Sequence, residues 1–88
     1  MRGREPVSII LPTYNRAAKV GKAIDSVLRQ TWEEFELLVI DDGSADNTEE
    51  VVRTYADRRI VYYRMSENGG QARARNCGMR MANYDYLA

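Results

Sequence analysis

The 88-residue chain has no histidine. That removes the commonest general base and the commonest metal ligand. It has one cysteine, Cys77, which excludes an intrachain disulfide and suits a reducing, cytoplasmic setting. It has no excess of either charge: 13 basic residues balance 13 acidic ones. Non-specific nucleic-acid binding runs on an excess of Lys and Arg, so no nucleic-acid partner is expected. Long apolar runs are missing too. The run Leu37 to Ile40 is far too short to span a bilayer. The opening residues MRGREP lack the apolar core of a secretory signal. No repeat, linker or low-complexity tract interrupts the chain. What remains is a globular composition, 44% hydrophobic and 30% charged, at a length that allows one small domain.

The most informative stretch is Phe35 to Thr48, FELLVIDDGSADNT. Leu37 to Ile40 form a continuous apolar run, as expected of a parallel strand covered on both faces by helices. Asp41 and Asp42 follow at once. Gly43 and Ser44 allow a tight turn, and Asp46, Asn47 or Thr48 can cap the next helix. Two carboxylates at the C-terminal end of a parallel strand lie where open α/β sheets bind their ligands.

The flanking segments supply the rest of such a sheet. Val7 to Leu11 reads as a first strand stopped by Pro12, which cannot donate to a ladder. Asn15 is a candidate cap for a helix over residues 17–30, with Val20, Ile24, Val27 and Leu28 as its inner stripe. A short helix is expected over 48–56, with Val51, Val52 and Tyr55 inward. Ile60 to Met65 is rich in strand formers. Ser66 to Gly70 is a glycine-bearing loop. Gln71 to Ala82 reads as a helix with Ala74, Gly78 and Met81 on one side, and Tyr84 to Ala88 begins a fourth strand. The alternation predicts an α/β fold: a Rossmann-like half-domain with helices on both faces of a parallel sheet, in the order 3-2-1-4. The crevice then falls between strands one and four.

Three loops leave the C-terminal strand ends: 13–16, 42–47 and 66–70. They bring an aromatic face (Tyr14), carboxylates (Asp41, Asp42) and hydrogen-bond donors (Asn15, Arg16). These groups suit a uracil ring, which needs a surface to stack on and an acceptor for its N3–H. A carboxylate there rejects cytosine, whose N3 is itself an acceptor. A buried unpaired acceptor costs about 1–3 kcal/mol, or roughly 10- to 100-fold. The spacing alone is equally compatible with Tyr14 as a wall residue and an Asp pair that only caps a turn. In the run Asn68 to Asn76, Gly69 and Gly70 allow close backbone approach. Arg73 and Arg75 point about 200° apart on a helix, so both cannot reach one phosphate. A solvated basic face explains them as well. After the first strand stands PTYNR rather than G-x-G-x-x-G, which argues against a dinucleotide-dependent oxidoreductase, and no P-loop is present. A phospho-acceptor receiver domain is disfavoured because its acidic pair is expected after the first strand.

VSIILPTYNR, SVLRQTWEEFELLVIDDGSADNT and NGGQARARNCG resemble, in order and spacing, the opening motifs of family 2 glycosyltransferases. The resemblance covers the chain from about Val7 onward. It implies a GT-A fold and a nucleotide-sugar donor, often UDP-linked. It implies that Pro12 and Tyr14 enclose the base, with Tyr14 stacking, and that Asp42 accepts the base N3–H. Asp41 is expected to support the loop or the ribose region. Asn15 and Arg75 fall on motif positions without an individual role.

The same resemblance places an acidic Mn²⁺- or Mg²⁺-binding motif just after YDYLA, beyond Ala88. The metal, the acceptor sugar or polysaccharide and the catalytic base are therefore expected to belong to a longer parent. Residues 1–88 are expected to be its base-binding part, with no catalytic residue, no metal ligand and no bound cation of its own. Many such relatives work at the cytoplasmic membrane face. The open edge of the fourth strand is expected to favour self-association. The alternatives are a non-catalytic nucleotide-binding module and a structural or interaction domain.

Overall fold

The computed structural model describes residues 6–30, 34–66 and 69–87. Strands and helices alternate as β1 (Val7–Thr13), α1 (Ala17–Leu28), β2 (Phe35–Asp41), α2 (Thr48–Arg53), β3 (Ile60–Arg64), α3 (Gln71–Met81) and β4 (Asp85–Leu87). The strands form one parallel sheet in the order β3-β2-β1-β4.

β2 anchors both faces of that sheet. Leu37, Leu38, Val39 and Ile40 are each at most 2% exposed. Successive strand side chains point to opposite faces. Leu37 and Val39 meet Val20 and Ile24 of α1 and Val52 of α2. Leu38 and Ile40 meet Ile10, Met65 and Ala74 on the α3 face. Full burial of a side chain this size stabilises by about 1.5–3 kcal/mol, so this run of four is a main source of stability.

β1 runs two residues further than expected, through Pro12 to Thr13. The Thr13 carbonyl accepts the Asp42 N–H at 2.9 Å, so Thr13 faces β2. Parallel neighbours alternate in the side their backbone groups face, so Pro12 turns its nitrogen the other way. On that side the register among the described residues runs from Val7 opposite Asp85 to Ile9 opposite Leu87. All three helices are shorter than expected. α1 ends at Leu28, and α2 ends at Arg53, where the Thr54 hydroxyl donates to the Val51 carbonyl at 2.6 Å. α3 ends at Met81 because Ala82 is extended.

A polar latch at the opposite end of the sheet joins β1 and β2 to the turn that leads into β4. Glu36 on β2 accepts from the Ser8 hydroxyl at 2.5 Å, the Asn83 N–H at 2.7 Å and the Asn83 side-chain amide at 3.1 Å. The Tyr84 N–H donates to Ser8 Oγ at 3.2 Å. β4 itself begins one residue later, at Asp85, and Ala88 lies outside the described residues, as do Glu67 and Asn68 of the expected loop.

Candidate functional site

At the C-terminal edge of the sheet, Pro12, Thr13, Tyr14 and Arg16 from the end of β1 face Gly70, Gln71 and Ala74 at the start of α3. Asp42 closes the floor of this cleft of about 570 Å³. That volume is within the usual range for small-molecule sites. Tyr14 lines the cleft and is 42% exposed, with no hydrogen-bond partner for its side chain among the described residues.

The loop after β1 is not shaped by the helix cap expected of Asn15. Arg16 occupies the cap position and makes no side-chain cap bond. Asn15 instead sits at φ 50°, a left-handed conformation that asparagine tolerates better than most residues. Its N–H donates to Ser44 Oγ at 2.7 Å, and its Oδ1 accepts the Ala45 N–H at 2.7 Å. This reciprocal pair ties the loop after β1 to the turn after β2. The free N–H at the start of α1 is met from that same turn, where Asp46 Oδ2 accepts from Ala17 at 3.2 Å. Asp46 Oδ1 accepts both the N–H and the hydroxyl of Thr48 and so opens α2. The Thr48 hydroxyl bond, aided by the backbone donors, holds the Asp46 carboxyl below its ordinary range.

The two adjacent aspartates do different work. Asp41 is fully buried and turned under the turn. One oxygen accepts the Ser44 N–H at 2.8 Å, and the other accepts the Tyr62 hydroxyl. The Arg64 guanidinium lies 3.9 Å from that second oxygen and donates to the Ser44 carbonyl at 2.8 Å. Burial, followed by the bond to Asp41, pushes the Tyr62 phenol well above its ordinary value. Asp42 faces the cleft. Its carboxylate accepts the N–H groups of Gly69 and Gly70, each at 2.8 Å. Each carboxylate oxygen keeps further acceptor capacity beyond those bonds.

Of the residues singled out in the sequence, Pro12, Tyr14, Arg16 and Asp42 meet at the cleft. Asn15 and Asp41 lie beside and beneath it, their side chains spent on the turn. Arg75 is half-buried on α3 and does not line the cleft; its Nε is buried without a hydrogen-bond partner among the described residues. Arg73 is exposed and packs against Gly69, where an added Cβ would lie 2.2 Å from Arg73 Cδ. Gly70 sits at φ 91°, a backbone that favours glycine. Tyr62 and Arg64 carry no motif signal that would mark them, because their partners, Asp41 and Ser44, lie about 20 residues away on another strand and its turn.

The Glycosyl transferase family 2 model matches residues 8–88. The chain belongs to glycosyl transferase family 2. It is 43% identical over 82 residues to an uncharacterized glycosyltransferase of Rickettsia prowazekii, covering 93% of this chain and 25% of that one. It is 45% identical over 86 residues to the validoxylamine A glucosyltransferase of Streptomyces hygroscopicus subsp. jinggangensis, covering 93% of this chain and 20% of the enzyme. Among solved structures, a mannosyltransferase of Pyrobaculum calidifontis in complex with GDP-Man and Mn²⁺ superposes with a TM-score of 0.83 at 30% identity. The match covers 91% of this chain and 25% of that one. S. aureus TarS in complex with UDP-GlcNAc gives 0.83 at 31% identity, covering 93% and 25%. The fold is therefore that of the GT-A glycosyltransferases. This family member spans about a quarter of the length of these relatives.

Proposed function

We propose that this chain forms the base-binding part of an enzyme that moves a sugar from a nucleotide-sugar, UDP-linked, to an acceptor hydroxyl. The observation that carries the reading is the convergence of the Tyr14 ring and the Asp42 carboxylate on one cleft at the sheet's C-terminal edge. Tyr14 offers a stacking face and Pro12 a wall. Asp42 offers an acceptor for a base N–H. Uracil and guanine present such an N–H, whereas cytosine and adenine present a lone pair in its place. Asp41 and Asn15 serve by holding the loops. Arg75 does not line the cleft, and we assign it no contact with the base.

The described residues do not fit a divalent cation. They contain no group of three or more potential ligands, and the oxygens of Asp41 and Asp42 already accept hydrogen bonds. We assign the ligands for Mn²⁺ or Mg²⁺, the acceptor site and the catalytic base to parts of an enzyme as long as its relatives.

Calorimetric titration with UDP tests the reading. One stacked base and a few hydrogen bonds predict a dissociation constant on the order of a millimolar. Tyr14→Ala should weaken it by about 1–3 kcal/mol, the usual worth of base stacking. Mn²⁺ should leave the affinity of this chain nearly unchanged. Undiminished binding in Tyr14→Ala would count against the cleft as the base site.

A further inference from the structure

Among the described residues Tyr14 has no hydrogen bond that fixes its ring, yet the residue after it is held on both sides. Asn15 is clamped in the left-handed region by Ser44 Oγ and the Ala45 N–H. The clamp partners are in turn fixed from below. Ser44 is gripped at its N–H by Asp41 and at its carbonyl by Arg64, and Asp41 is gripped by Tyr62. Tyr62 and Arg64 belong to β3, which contributes nothing to the cleft wall. The Tyr62 ring is itself packed, with the Arg53 guanidinium 5.4 Å from its centroid.

From this chain of contacts we infer that Tyr62 and Arg64 are positioning residues for base binding: through Asp41 and Ser44 they fix Asn15, and so aim the Tyr14 ring at the cleft. The inference rests on the proposed base site and names residues that the site's own lining does not contain. Its physical basis is the strain at Asn15. A non-glycine residue at positive φ persists only where its surroundings over-determine it. Here Ser44 and Ala45 supply that determination. Removing the phenol of Tyr62 leaves one oxygen of a fully buried carboxylate without its nearest donor. Asp41 then has reason to rotate toward Arg64, which loosens its hold on the Ser44 N–H.

The test is a double-mutant cycle read by UDP titration, together with amide exchange at Asn15 and Ala45. Tyr62→Phe keeps the ring and removes only the hydroxyl. Arg64→Gln removes the grip on the Ser44 carbonyl. Each should weaken UDP roughly threefold to tenfold, the range for one lost buried hydrogen bond. In a Tyr14→Ala background each should change UDP affinity little, because the ring they aim is gone. Asn15 and Ala45 amides should exchange faster in both variants. Equal losses in the two backgrounds would mean that Tyr62 and Arg64 act on stability alone, and would overturn the inference. If the unmutated protein binds no nucleotide, the base-site reading falls by itself. The exchange arm still decides the mechanical half: unchanged protection at Asn15 and Ala45 in both variants would overturn it.

Discussion

Asp42 reaches across the cleft to Gly70, and its carboxylate accepts the Gly70 N–H at 2.8 Å while also accepting that of Gly69. The acidic turn after β2 is thereby fastened to the entrance of α3. One side chain serves as both the floor of the cleft and the tie between its walls. Any ligand N–H must share an acceptor that is already ordered, so the carboxylate is pre-aimed.

That double duty predicts a split result for Asp42→Asn. The amide oxygen can still accept from one glycine, but the amide nitrogen cannot accept from the other. It can, however, donate to cytosine N3. UDP affinity should fall by roughly tenfold, and the preference for UDP over CDP should shrink or reverse. Parallel titration of both nucleotides checks this. A retained preference would remove Asp42 from base selection.

Gly78 should not tolerate a methyl group. A Cβ there would lie 2.6 Å from Ile10 Cγ2 and 3.3 Å from Ile40 Cγ1, and both isoleucines are buried. Overpacking costs about 1–3 kcal/mol, and the better helix propensity of alanine returns at most about 1 kcal/mol. Gly78→Ala should therefore lower stability by about 1 kcal/mol in urea unfolding, whereas Gly21→Ala, with the nearest atoms 3.6 Å away, should raise it by up to about 1 kcal/mol.

The latch at Glu36 predicts an acid-sensitive contribution. Burial pushes the Glu36 carboxyl up, but the bonds from Ser8 and Asn83 together outweigh it and hold the carboxyl below its ordinary 4.5. A carboxylate with a lowered folded value adds stability that is fully present above 4.5 and is lost as pH falls through the folded value. Glu36→Gln should flatten the stability profile below pH 4.5 and leave the slope above it unchanged. Chemical denaturation across that range checks both limbs.

β4 lies at the sheet edge, and among the described residues it pairs only with β1. Its outer backbone groups are a template for another strand. Light scattering should show association that grows with concentration. A monomer at all concentrations would contradict this.

β2 and the aspartate pair were legible because they are local: Leu37 to Ile40 are apolar on both faces, and Asp41 and Asp42 follow directly. The parallel α/β fold follows from that periodicity. The role of Asn15 was not legible. Its partners, Ser44 and Ala45, lie 29 and 30 residues away, and a cap is the ordinary use of an asparagine at that position. Pro12 misled for a related reason. Its missing donor matters only where a neighbouring strand asks for it, and toward β2 it is Thr13 that makes the backbone bond. Tyr62 looked like any strand aromatic, and only the register Asp41↔Arg64 brings β3 under the turn.

The central claim is that a nucleotide base sits between Tyr14 and Asp42. Amide chemical-shift mapping during a UDP titration tests it most directly. The account predicts concentration-dependent shifts at Tyr14, Asn15, Asp42, Gly69, Gly70 and Gln71, with Glu36 and Asn83 at the far end of the sheet unmoved. Shifts confined to that far end, or none at millimolar UDP, would contradict it.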